Sequence, residues 1–334
     1  MGPASREHPV PGVLSVTEAG WRDSEPRRLL IVGVPRSGTS WLGRALAMTT
    51  DASYVHEPDH ERYVIAAMHA KRRLGLFPVL SPGDQARSYR RLWERAFRDQ
   101  VKARTLAYRM AARLFWKASE PEFEAALAYP RPGRSLRLRA AGFLASRPSR
   151  DGEEKPLVIV KSAHAALSVE WIAQEMGPTV IVVARHPLNT LASWIELGIR
   201  ECTIELETYP RVRERLLTPQ GIDPPAPNAS PLTRAAWNLG LLARCLQASA
   251  ERHPDWHVVR HESLVLDPPS GYHALCDVLG LGWNTSIEEF LEKSDRPGAP
   301  FETNRVAAQL TDRWRRVFSD AQAQEVTRVL RQFS

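Results

Sequence analysis

The sequence predicts an α/β fold of three layers, with a central, mainly parallel sheet covered by helices on both faces. Three observations support it. Four short apolar runs, RRLLIVGV (27–34), PLVIVKS (156–162), TVIVVARHP (179–187) and WHVVRHE (256–262), are rich in Val, Leu and Ile and largely lack polar alternation, as expected of strands buried on both sides. The stretches between them are long enough for the helical crossovers that parallel strands require. The first run ends in a glycine-bearing turn, GVPRSGTS, that leads into a helical pattern.

Taken in order, residues 1–27 are polar and proline-containing and read as a flexible arm. Residues 28–334 read as one domain with a helical insertion at about 62–155. A chain of 334 residues with 43% hydrophobic content can bury a core of that size. Helical patterns fall at 40–49, 61–74, 84–118, 165–176, 188–198, 232–252, 269–279 and 320–332. Pro187 stands where a helix can begin, and glycine or proline breaks many of the intervals between helices.

Charge is unevenly placed. Residues 71–150 hold nineteen Lys/Arg against six Asp/Glu, a balance of +13, so the rest of the chain sums to −6 of the total +7. Within this block Arg91, Arg95, Arg98, Lys102, Arg109 and Arg113 recur at helical spacing. That pattern suits a solvated helix face, or a surface attracting an anionic substrate or membrane lipid. Cys202, Cys245 and Cys276 are far apart and odd in number, which points to neither a disulfide framework nor a zinc site. No run of about 18 uninterrupted apolar residues occurs, and the expectation is a cytoplasmic protein.

The turn after the first strand carries the chemistry. Gly33, four residues, Gly38, then Thr39-Ser40 keeps the spacing of the triphosphate loop G-x-x-x-x-G-K-[ST], with Thr39 where the lysine would be. Without that lysine a triphosphate is poorly held. A strand end, a tight turn and a helix N-terminus still make an anion site. Arg36 restores a cation, and Ser37, Thr39 and Ser40 add hydroxyls.

PRSGTSWL (35–42) resembles the 5′-phosphosulfate loop of the sulfotransferases that use 3′-phosphoadenosine 5′-phosphosulfate (PAPS), a family built on a P-loop-like α/β fold. The resemblance implies that Arg36, Ser37, Gly38, Thr39 and Ser40 hold the 5′-phosphate and that Trp41 lies against the adenine. VVARHPLNTLASW resembles the family's 3′-phosphate element, an arginine and a serine eight residues apart, here Arg185 and Ser193. HESLVLDPPSGYHALCDVLGL and TDRWRRVFS resemble later family segments, and Arg305 would be the late basic residue over the 3′-phosphate. The resemblance covers about 28–62 and 156–332 and leaves the basic block outside.

Sulfuryl transfer builds negative charge on the bridging oxygen as the sulfur–oxygen bond breaks, so cations are needed there. Arg36 is one. Lys161 is the other, because the family has a lysine at the end of that strand. A general base must take the acceptor's proton, and two candidates stand at strand ends, Glu57 in YVHEPDH and His164 in KSAH. Carbohydrate-type and many bacterial members carry a Glu-Pro resembling Glu57-Pro58, which favours Glu57, with His56 and His60 supporting it. Cytosolic members use a histidine two residues beyond the lysine, whereas His164 lies three beyond Lys161. The expected product is adenosine 3′,5′-bisphosphate, with no metal. The expected acceptor is a small molecule, lipid or glycan rather than a nucleic acid. A P-loop kinase of small metabolites and a polyanion-binding or membrane-binding protein are the alternatives.

Overall fold

The computed structural model describes residues 27–49, 52–61, 64–101, 155–295 and 312–333. The expected N-terminal arm, Arg305 and most of the basic block lie outside them.

Five strands form one sheet: β1 (Arg27–Val32), β2 (Ala52–His56), β3 (Leu157–Ser162), β4 (Thr179–Ala184) and β5 (His257–Arg260). Their order is β2-β3-β1-β4-β5 and every pairing is parallel. The four apolar runs became β1, β3, β4 and β5, the last ending at Arg260 so that His261 opens a helix. Alternate residues feed two separate cores. Leu30, Val32, Val158, Val160, Val180 and Val182 enter the larger one. Leu29, Ile31, Leu157, Ile159, Ile181 and Val183 enter the other. This continuous burial on both faces is why the strands read as unbroken apolar runs.

The second core is capped by α1 (Thr39–Leu46), α7 (His261–Leu266), α8 (Pro268–Val278) and α9 (Thr285–Ser294), which supply Leu42, Leu264, Tyr272 and Ile287. The larger core takes α2 (Ile65–Lys71), α3 (Arg87–Ala96), α4 (Val169–Met176), α5 (Pro187–Leu197), α6 (Pro231–Arg252) and α10 (Asp320–Leu330). Pro187 sits in the first turn of α5, and Gly198 closes it in the left-handed conformation. Ser319 begins α10 with a capping box to Gln322. Crossovers from β1 and from β3 leave toward opposite faces, so a crevice opens between their carboxyl ends, where parallel sheets place their sites.

Two expectations about the basic segment are corrected. The helix expected over 84–118 stops at Ala96. Asp99 takes φ 52, and Gln100 N–H donates back to Arg95 O at 2.8 Å. Arg95 is buried rather than on a solvated face, and its guanidinium donates to Gln100 O at 2.9 Å, satisfying a carbonyl just past the helix. Tyr89, Leu92 and Trp93 of α3 pack in the larger core. The three cysteines are unbridged, and among the described residues no helix is long and apolar enough to cross a membrane.

Candidate active site

The loop after β1 is held by its own backbone. Ser37 N–H donates to Val34 O at 3.1 Å, and Arg36 and Gly38 take φ 68 and φ 97. A left-handed arginine costs about 1–3 kcal/mol, strain that collects at functional sites. Gly33 is required by closeness rather than by its backbone angle: a Cβ there would lie 2.4 Å from Ser37 Oγ and 2.8 Å from Val183 O. No side chain caps α1, and no acidic residue stands in its first turn, so its N-terminal field is left for an anion. Ser37 is fully buried with an Oγ that has no hydrogen-bond partner.

The Arg185/Ser193 segment touches this loop directly. Arg185, immediately after β4, donates from Nη1 to Arg36 O at 2.7 Å. Arg36 Nε donates to Ser193 Oγ at 3.3 Å, and the buried Trp194 donates from Nε1 to Pro35 O at 2.7 Å. Arg185 and one turn of α5 therefore make three hydrogen bonds to two consecutive loop residues, Pro35 and Arg36.

His261 was not anticipated. It is the first residue past β5, it is 5% exposed, and its ring packs on Gly38: a Cβ on that glycine would lie 2.2 Å from His261 Cδ2. Its Nδ1 has no hydrogen-bond partner. Burial first, then the Arg185 guanidinium, pushes its pKa down to about 3, so the imidazole is neutral at physiological pH. Trp41 is half-buried; it donates from Nε1 to Ser294 Oγ at 2.9 Å and meets Tyr272 edge-on with centroids 5.2 Å apart. Thr39 is buried and Ser40 half-buried, and Ser40 hydrogen-bonds the Tyr54 hydroxyl.

The catalytic candidates meet at the other side of the crevice. Parallel register sets Lys161 opposite both Ile31 of β1 and His56 of β2. Glu57 directly follows β2 at φ 48, and its N–H donates to Lys161 O at 2.8 Å. Its carboxylate accepts from Lys161 Nζ on Oε1 and from Ala163 N–H at 3.0 Å on Oε2. Burial pushes the Glu57 pKa up, but the Lys161 ammonium foremost, then His164, His60 and His56, outweigh it and hold the group well below the usual carboxylate range.

His164 is brought near Glu57 but is enclosed. It is 3% exposed and stacks on His60 at 4.6 Å. Its Nδ1 lies 3.4 Å from Lys71 Nζ and its Nε2 lies 3.5 Å from Glu201 Oε1. Lys71 also pairs with Glu61 at 2.9 Å. Burial first, then the neighbouring His164 charge, pushes the His60 pKa down to about 2. His56 Nδ1 lies 3.1 Å from the Tyr54 hydroxyl. Below them Asp59, fully buried, accepts from Ser162 Oγ at 2.6 Å and Tyr89 OH at 3.0 Å and so ties the β3 end to α3.

Lys71, Glu61 and Glu201 also escaped the sequence reading, because nothing in their local pattern marks a buried charge. Among the described residues no group of three or more His, Cys, Asp or Glu side chains is arranged to hold a metal ion.

No family model and no curated protein matches the chain. Among solved structures, a sulfotransferase domain from the curacin biosynthetic pathway aligns over 92% of this chain and 97% of its own, at 14% identity and TM-score 0.45. A sulfotransferase domain from the Synechococcus PCC 7002 olefin synthase aligns over 94% and 98%, at 16% identity and TM-score 0.45. At these identities and scores the functional reading rests on the site itself.

Proposed function

We propose that this chain transfers a sulfuryl group from PAPS to a hydroxyl or amine of a small-molecule, lipid or glycan acceptor. The observation that carries the reading is the joining of two anion-binding elements: Arg185 holds the Arg36 carbonyl while Arg36 reaches Ser193. A donor with a phosphate at each end of one nucleoside suits such a pair, and a nucleotide without a 3′-phosphate leaves the second element unused.

The residues fit that donor. The unpartnered buried Ser37 Oγ, the uncapped N-terminus of α1 and the Arg36 guanidinium suit a 5′-phosphate. Arg185 and Ser193 suit the 3′-phosphate, with Arg305 as a further candidate outside the described residues. Lys161 is the proposed cation for the charge that grows on the bridging oxygen, and Glu57 is the favoured base, with His164 the alternative. His164 has neighbours at both ring nitrogens and Glu57 at both carboxylate oxygens, so the preference for Glu57 rests on the Glu57-Pro58 resemblance.

Thermal shift separates this from the other readings. Adenosine 3′,5′-bisphosphate should raise Tm and lose that effect in Arg185→Ala. A response to ATP with Mg²⁺ alone would replace the reading with a metabolite kinase, and a response to heparin alone with polyanion binding.

A further inference from the structure

Glu57 and Lys161 form a buried ion pair beside the phosphate loop, and we propose that it is a donor-gated switch: Lys161 leaves Glu57 for the donor's anionic oxygens, and the released carboxylate takes the acceptor's proton. This rests on the sulfuryl-transfer reading and answers a difficulty within it, since a carboxylate clamped by an ammonium is a poor base.

The two partners are held differently. Glu57 is fixed by its backbone, with N–H bonded to Lys161 O at 2.8 Å and Oε2 bonded to Ala163 N–H at 3.0 Å. The carboxylate therefore stays in place when the ammonium departs. Lys161 carries its charge on a flexible four-carbon stem, and among the described residues its ammonium is bonded to Glu57. Its Cα lies opposite Ile31, two positions before the loop begins at Gly33. A short swing carries the ammonium toward the loop without moving β3.

Burial decides what happens next. The two side chains are 5% and 7% exposed, so water does little to replace Lys161 once it leaves. Other charged or titratable groups acting on Glu57 are His56 and Tyr54 from β2, His60 from the turn after β2, and His164 from the turn after β3. His60 is neutral at physiological pH. With the foremost opposing charge gone, desolvation becomes dominant and raises the carboxyl toward the range where it can accept a proton.

The step balances. The acceptor O–H or N–H bond breaks, its proton goes to Glu57 Oε1, and the acceptor's electron pair forms the new bond to sulfur. The sulfur–oxygen bond to phosphate breaks, and its pair stays on the phosphate oxygen beside Lys161. An empty donor site keeps the base clamped, so acceptor alone is not deprotonated.

Binding calorimetry with adenosine 3′,5′-bisphosphate tests this on the full chain, in two buffers of different ionisation enthalpy and over about pH 5 to about pH 8. Wild type should take up more protons per nucleotide than Glu57→Gln, the difference approaching about one proton at the acid end. In Lys161→Met the extra uptake should vanish, because the carboxyl is already released before nucleotide arrives. Infrared difference spectra of wild type at about pH 5 should gain a protonated-carboxyl band on nucleotide binding that fades toward about pH 8, where the carboxylate is free to act as base, a readout independent of either variant. Equal uptake in wild type and Glu57→Gln, or no such band, would overturn the switch while leaving donor binding intact. Absence of any binding heat in wild type would instead overturn the sulfuryl-transfer reading and the switch with it.

Discussion

Arg36 Nε donates to Ser193 Oγ across 3.3 Å, joining residues 157 positions apart in the chain. The contact links a loop fixed by β1 to a helix fixed by β4, strands that pair in the sheet from Leu29↔Thr179 to Val32↔Val182. Each partner is also a candidate phosphate ligand. An anion arriving at one element therefore competes for a group that positions the other.

That relationship predicts non-additive binding. Arg36→Ala and Ser193→Ala should each weaken adenosine 3′,5′-bisphosphate, the arginine by about 1.5–3 kcal/mol as a charged donor, or roughly 10- to 150-fold in Kd. The double variant should lose less than the sum, by about 0.5–3 kcal/mol. Calorimetric titration of the four proteins gives the cycle. Losses that add to within about 0.5 kcal/mol would mean that the two elements act independently.

Gly38→Ala should be severe for two separable reasons. The residue takes φ 97, and a Cβ would meet His261 Cδ2 at 2.2 Å. Backbone strain alone costs about 1–3 kcal/mol, and the clash displaces a buried ring. Adding His261→Ala should recover the clash portion of the Tm loss but not the strain portion. Full recovery would show that the left-handed backbone contributes nothing.

The sheet was legible because its strands are covered on both faces. β1, β3, β4 and β5 are short apolar runs that a parallel arrangement requires. β2, ASYVH, alternates between half-buried and buried residues at the sheet edge, and carries a weaker signal. The loop residues 36–40 stand out by local spacing, since a strand-to-helix turn is a local structure, whereas the Arg185/Ser193 pair stands out by its resemblance to a family element. Which of these residues meet was not legible, because that depends on strand order. His261 reaches Gly38 because β5 lies beside β4, and Glu57 reaches Lys161 because β2 lies beside β3. Arg95 was misplaced for a related reason: its periodicity continued past Ala96, while the backbone turned at Asp99 and buried the guanidinium.

The buried pair also fixes how stability responds to pH. In the wild type, Glu57 sits below its ordinary value of 4.5. Its contribution is therefore fully present above that value and is lost as pH falls through the depressed folded pKa. Lys161→Ala reverses the sign. With the foremost opposing charge gone, burial holds the carboxyl above its ordinary value, so ionisation destabilises the fold increasingly as pH rises through the raised pKa. Removing one partner of a buried pair costs about 3–5 kcal/mol, and this deficit should be greatest at neutral pH and above. Denaturant titrations of wild type and Lys161→Ala at several pH values should show the gap narrowing toward pH 4.5, the ordinary carboxyl value. Adding Glu57→Gln to Lys161→Ala should recover most of the loss at neutral pH, because the amide carries no charge to strand. A gap that stays constant across the range would show that the Glu57 carboxylate is not what Lys161 neutralises.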